Sequence, residues 1–192
     1  MVHLLDIENY AKENNIPIMQ KDGIEFLTNY IKEHNVKKIL EIGCAIGYSA
    51  IRMCLVHDDI SVVTVERDES RYKEAIKNIK EFNLEKRINV IFDDAFNVDL
   101  SDKFDLIFID ASKGHSIDFF NRYTPYLKRD GFVITDNLSF HGLVEDERLA
   151  VTKNQKGLVK RIKRFIDFLD TNPEFTTEYV SVGDKISISR RK

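Results

Sequence analysis

Short apolar runs alternate along this chain with longer stretches in which apolar residues recur every three or four positions. The runs Lys38–Cys44, Ser61–Glu66, Asn89–Asp93, Asp105–Asp110 and Phe132–Asp136 are brief and mostly rich in β-branched residues, which predicts buried strands. Between them, Tyr48–His57, Ser70–Asn83 and Ile117–Leu127 carry helical spacing. Strand and helix in alternation predict an α/β fold, a parallel sheet with helices on both faces. Leu106-Ile107-Phe108-Ile109 has no polar side to turn toward water, as expected of a strand covered twice over.

The ends of the chain read differently. Two helical segments, Ile7–Glu13 and Gly23–His34, precede the first strand and are split by Pro17. After the fifth strand, Leu158, Ile162, Phe165, Ile166 and Leu169 form one helical stripe, and Pro173 stops it. Thr176–Val182 and Ile186–Arg190 then flank Gly183-Asp184 as a β-hairpin. A hairpin cannot continue a parallel crossover, so one of its strands must run antiparallel. The expectation is one domain over 1–192 with a seven-stranded, mainly parallel sheet. N-terminal helices occupy 1–35, a ligand-binding core 36–138, a substrate loop 139–152, and a helix with the hairpin 153–192.

Composition narrows the class. A chain of 192 residues can bury one substantial core. No apolar stretch approaches the ~20 residues of a membrane span, and Met1–Asp6 lacks the basic-then-apolar order of a secretory signal. Cys44 and Cys54 belong to no pairing motif, so a cytoplasmic, reducing setting is expected. Net charge is −3 but unevenly spread: residues 151–192 hold ten Lys/Arg against five Asp/Glu, a balance of +5 that leaves −8 for the rest. A basic tail on an acidic body suits an anionic partner such as RNA, or a solvated helix face.

Candidate chemistry gathers at strand ends. Asp110 follows Ile107-Phe108-Ile109, and Asp136-Asn137 follow Phe132–Thr135. In an open parallel sheet the carboxyl edge is where ligands bind. Three hard oxygen donors side by side there suit Mg²⁺ or Ca²⁺ and not zinc. Glu41-Ile-Gly-Cys-Ala-Ile-Gly47 closes the first strand, and Gly43 and Gly47 let backbone approach a ligand closely. The dinucleotide pattern G-x-G-x-x-G fails, since its later glycines fall on Ala45 and Tyr48, which argues against a dehydrogenase. Glu41 beside the loop suits a cationic amino-acid moiety. Glu66, ending the second strand, can accept from ribose hydroxyls, and Asp94-Ala95 could meet an adenine amino group. Together these favour an adenosine ligand.

These segments occur in a familiar order. LEIGCAIGYSA (40–50), VERDESRYKEAIKNI (65–79), DDAF (93–96), FDLIFIDASKGH (104–115) and GFVITDNLSFHGLV (131–144) resemble the class I S-adenosylmethionine-dependent methyltransferases. The chain is most similar, over about 17–190, to the metal-dependent O-methyltransferases of the catechol and caffeoyl-CoA type. Ile16–Met19 and Gly47–Met53 resemble a bacterial branch that methylates 5-hydroxyuridine in tRNA. The resemblance implies a Rossmann-like methyltransferase fold, a homodimer and S-adenosyl-L-methionine as donor, touched by Met19, Ser49, Glu66, Asp94, Ala95 and Asp110. It places the donor's carboxylate at Ser49, the metal on Asp110, Asp136 and Asn137, and a general base at Lys113. Ser112 departs from the acidic residue usual there. His115 and His141 are candidates for touching substrate.

A tRNA acceptor would explain the basic balance of 151–192. Lys153, Lys156, Lys160, Lys163, Arg164, Arg190, Arg191 and Lys192 could meet phosphates, and a loop base is readily splayed into a pocket. A small catechol needs no such charges, whereas a caffeoyl-CoA-like thioester could use a few. A module that binds donor or RNA without turnover has no need of a metal set beside the donor.

Overall fold

The computed structural model describes residues 3–111 and 114–192. Among them the chain forms helices α1 (Leu4–Glu13), α2 (Lys21–Glu33), α3 (Tyr48–Cys54), α4 (Glu69–Glu81), α5 (Ser116–Tyr123) and α6 (Lys153–Asp170). The strands are β1 (Lys38–Ile42), β2 (Ser61–Glu66), β3 (Ile88–Phe92), β4 (Phe104–Ile109), β5 (Leu127–Thr135), β6 (Phe175–Val180) and β7 (Ile186–Arg191). They join in one sheet in the order β3-β2-β1-β4-β5-β7-β6. β1 to β5 pair in parallel, and β7 lies antiparallel between β5 and β6. The expected antiparallel strand is therefore the last one.

Side chains alternate across the sheet with the period of two that a pleated strand imposes. Ile39, Leu106, Phe108, Ile134 and Ile188 pack on one face with Ile7, Ile24, Leu27 and Ile51 of α1–α3. Leu40, Ile42, Ile107, Ile109 and Val133 pack on the other with Phe119, Phe120, Ile162 and Phe165 of α5 and α6. Both faces are buried, so the central strands read as unbroken apolar runs. α6 starts on a capping box: Thr152 Oγ1 accepts from the Gln155 N–H at 3.1 Å, and Gln155 Oε1 accepts from the Thr152 N–H at 3.0 Å.

Two boundaries depart furthest from expectation. The helix after β4 ends at Tyr123, and a 3-10 turn through Pro125 replaces its last residues. Proline lacks the N–H that an α-helix would use there. β5 starts at Leu127, five residues before the expected Phe132, because Lys128-Arg129-Asp130 masks a strand with polar side chains. The 139–152 loop is also anchored: Leu143 and Ala150 pack on Val159 of α6. Among the described residues, no helix is long and apolar enough to cross a membrane.

Candidate active site

Parallel pairing brings the carboxyl ends of β1 to β5 to one edge, with the chain reversing direction across the sheet between β1 and β4. Such a switch point opens a crevice. Here the crevice is a cavity of about 690 Å³. It is walled by Gly43 after β1, Glu66 of β2, Asp94 and Ala95 after β3, Asp110 after β4, and Asp136 and Asn137 after β5. Met19 closes it from the segment before α2, Ser49 from α3, and His115, Phe140 and His141 from the loops.

The first loop explains its glycine. Gly43 has φ +100, and a Cβ there would stand 2.7 Å from the Asp110 carbonyl oxygen. A side chain would push the ends of β1 and β4 apart. Glu66 is 7% exposed and held by three backbone N–H groups, from Ala45 (2.8 Å), Arg67 (3.0 Å) and Asp68 (2.9 Å). Such donors fix a carboxylate at the cavity edge in one orientation. Asp94 Oδ1 accepts from the Phe96 N–H (2.9 Å), and Oδ2 pairs with Arg67 (3.0 Å). Those two contacts, the backbone one first, hold the Asp94 carboxyl below its usual pKa range.

Glu41 does not wall the cavity. It lies fully buried beneath it and accepts the hydroxyls of Ser49 and of Thr64, the latter at 2.5 Å. Burial pushes its pKa up to about 7, against the pull of the two hydroxyl bonds, and the nearby Glu66 charge adds to the rise. While Glu41 is ionised, Ser49 spends its proton on it and shows the cavity only lone pairs, which suit an ammonium. Once Glu41 is protonated, Ser49 is free to donate to a carboxylate.

Asn137 links Asp110 and Asp136. The Asn137 side-chain amide donates to Asp110 Oδ1 at 2.9 Å, and its backbone N–H donates to Asp136 Oδ1 at 2.7 Å. Asn137 sits in the left-handed region at φ +68, a conformation asparagine tolerates better than most residues. The fit to a divalent cation rests on donor chemistry: two carboxylates and an amide that would present its oxygen after a half-turn. Among the described residues no group of three His, Cys, Asp or Glu forms a metal set, and this one depends on its asparagine. Lys113 lies outside the described residues.

The basic residues divide. Lys153, Lys160 and Arg164 are exposed on α6, whose Leu158 reaches the cavity wall. Arg190, Arg191 and Lys192 instead serve the fold. Arg190 donates to the Tyr30 hydroxyl (2.8 Å) and stacks on Phe132, Arg191 donates to the Thr124 carbonyl (2.9 Å), and Lys192 donates to that of Asn172 (2.9 Å). Lys163 pairs with Glu147.

Sequence reasoning missed Phe96, Phe119, Tyr48 and Leu158 as wall residues. Phe96, 40% exposed, meets the ring of His115 edge-on at 5.2 Å and that of Phe119 at 4.9 Å. An exposed aromatic just after a strand-end acid pair was the available signal.

Comparisons with known proteins agree with this fold. The profile of the O-methyltransferase family matches residues 2–192. The crystal structure of a Staphylococcus aureus protein, described as a candidate caffeoyl-CoA O-methyltransferase, superposes with a TM-score of 0.93 at 35% identity. That match covers 100% of this chain and 93% of the other. A Bacillus cereus O-methyltransferase in complex with SAH shares the fold at TM-score 0.83 and 24% identity, over 98% of this chain and 90% of its own. The caffeoyl-CoA O-methyltransferase of Populus kitakamiensis is 26% identical over 193 residues, 96% of this chain and 82% of that protein. Sheet order, strand-end acids and an end-to-end profile match converge: this chain belongs to the O-methyltransferase family.

Proposed function

We propose that this O-methyltransferase moves the methyl group of S-adenosylmethionine to a ring hydroxyl of phenol-like acidity, with the help of a divalent cation. The observation that carries the reading is the junction inside one cavity. Glu66 and Asp94 stand where a nucleoside would lie, and Asp110, Asp136 and Asn137 gather beside them. Met19 and Ser49 flank the donor's amino-acid end, Ala95 backs its base, and Glu41 sets the Ser49 proton from below.

Methyl transfer is an in-line displacement: the acceptor oxygen bonds to the methyl carbon as the sulfur–carbon bond breaks, leaving a neutral thioether. A ring hydroxyl must lose its proton to attack well; Asp110, Asp136 and Asn137 would hold a divalent cation, which would supply the charge that lowers that hydroxyl's pKa. Lys113 takes that proton in this scheme.

The acceptor we favour is the 5-hydroxyuridine of a tRNA wobble position. Exposed Lys153, Lys156 and Lys160 lie on the helix that sends Leu158 into the cavity wall, a placement suited to phosphates flanking an inserted base. The second reading is a caffeoyl-CoA-like phenol, favoured by the names carried by the Staphylococcus and Populus relatives. Labelled donor with unmodified-at-this-step tRNA, catechols and caffeoyl-CoA, each with and without chelator, separates them. Transfer to tRNA that chelation abolishes is the expected result. Transfer to phenols alone would reject the tRNA acceptor, and turnover indifferent to chelation would reject the cation.

A further inference from the structure

Asp184 sits in the β6–β7 connection, 3% exposed, and its carboxylate makes no bond to its own turn. The turn is shaped by Gly183 (φ +54) and Lys185 (φ +64) and closed by the Lys185 N–H on the Val182 carbonyl at 3.0 Å. The carboxylate reaches out instead. Its Oδ1 accepts the His141 backbone N–H at 2.6 Å. The Asp184 carbonyl takes the Ser139 N–H at 2.9 Å, and that of Lys185 takes the Leu138 N–H at 3.0 Å. Three amides of the segment after Asn137 thus end on two hairpin residues.

That segment needs holding. Asn137, Phe140 and His141 all lie at positive φ (68°, 51° and 57°), ahead of Gly142 at 83°. Side chains at Phe140 and His141 disfavour that backbone, and it persists where neighbours over-determine it. Asp184 Oδ2 is buried with no hydrogen-bond partner. An unpaired buried carboxylate oxygen is costly, and nothing in the turn requires it. The same turn also meets the start of α2, just after the cavity residues Met19 and Gln20: the Gly183 N–H donates to Asp22 Oδ2 at 3.1 Å, and a Cβ on Gly183 would lie 3.3 Å from the Gly23 Cα.

We propose that Asp184 is a positioning residue for methyl transfer. Acting through the His141 amide, it holds the 137–142 segment, with its four left-handed positions, so that Asn137, Phe140 and His141 keep their places on the cavity wall. The assignment of that wall to the acceptor rests on the function proposed above.

The test combines amide exchange with kinetics on the full chain, with S-adenosylhomocysteine as the probe of the donor side. In the unaltered protein the His141 amide should exchange at least about 10-fold more slowly than unbonded loop amides. Asp184→Ala should lose that protection and about 10-fold or more in kcat, with S-adenosylhomocysteine affinity held within about 2-fold. Asp184→Asn, whose side-chain carbonyl still accepts the amide, should return kcat to within about 3-fold of the original. An unprotected His141 amide in the unaltered protein overturns the proposal. So does an alanine variant with unchanged kcat, or one losing ligand affinity and turnover in equal proportion, and so does an asparagine variant as impaired as alanine. Should the alanine variant fail to fold, the unaltered protein's amide and the asparagine variant decide. If no acceptor is turned over at all, the functional reading falls, and amide exchange alone judges Asp184.

Discussion

At the scale of single residues, two positions carry sharp consequences. Glu41 has a folded pKa of about 7 against an ordinary 4.5, so the folded state prefers its protonated form. A carboxyl raised in this way contributes stability that is complete below about pH 4.5 and lost as pH climbs through 7, to a limit of about 3 kcal/mol. Glu41→Gln should therefore flatten the fall in Tm between pH 5 and 8, measured against the parent protein by calorimetry. Equal slopes for the two proteins would contradict the burial argument. Gly43→Ala combines a left-handed φ with a 2.7 Å approach to backbone, and neither neighbour can yield without parting β1 from β4. It should cost roughly 2–4 kcal/mol of stability in chemical unfolding and weaken donor binding about 10-fold or more.

The strand-end acids were legible because an apolar run ending in a carboxylate is conspicuous in any α/β pattern. Glu41 was legible as an acid near the donor loop, but its depth was not. Alternation along β1 puts it on the face of Ile39 and away from that of Leu40 and Ile42, which places it under α3 and out of the cavity. Phe96, Phe119 and Leu158 escaped for a different reason. An apolar wall residue and an apolar core residue look alike until the sheet edge is assembled.

At the scale of elements, the helix that begins at Thr152 carries the question of the acceptor. Its inner stripe of Val159, Ile162, Phe165 and Leu169 is buried, while Lys153, Lys156 and Lys160 stand in water. Changing those three lysines to glutamate should leave the buried stripe and Tm almost untouched. For an RNA acceptor, KM should rise about 10-fold or more and the salt dependence of binding should become shallower by up to about three counterions. For a small phenol neither should change, so one variant distinguishes the two acceptors. The basic charge of this region was visible in the sequence, but its partition was not. Arg190, Arg191 and Lys192 look equivalent to the helix lysines in one dimension, yet their partners lie on α2, β5 and the Asn172–Glu174 turn. Likewise β5 extends back to Leu127, which pairs with Phe104, while the exposed polar run at 128–130 falls in the register shift before Phe132 meets Leu106.

For the whole molecule, the alternation of apolar runs was enough to foresee a doubly covered sheet with one reversed strand. Strand order was not foreseeable, since the insertion of β7 between β5 and β6 depends on contacts across more than fifty positions, such as Thr135 with Ser187. Ligand-linked stability is the matching global prediction. At about 100 times its Kd, S-adenosylhomocysteine should add about 2.7 kcal/mol to unfolding and raise Tm by several degrees. No shift at saturating ligand would show that the cavity is not a donor site.

The cavity draws its walls from around residues 17–20, 43–49, 66, 94, 110 and 136–141, pieces far apart along the chain. An occupant touching all of them works as a reversible clasp on otherwise distant loops. Protease should nick the empty protein first in those loops, and a spent donor that lingers there would shield the chain even while it blocks the next turnover.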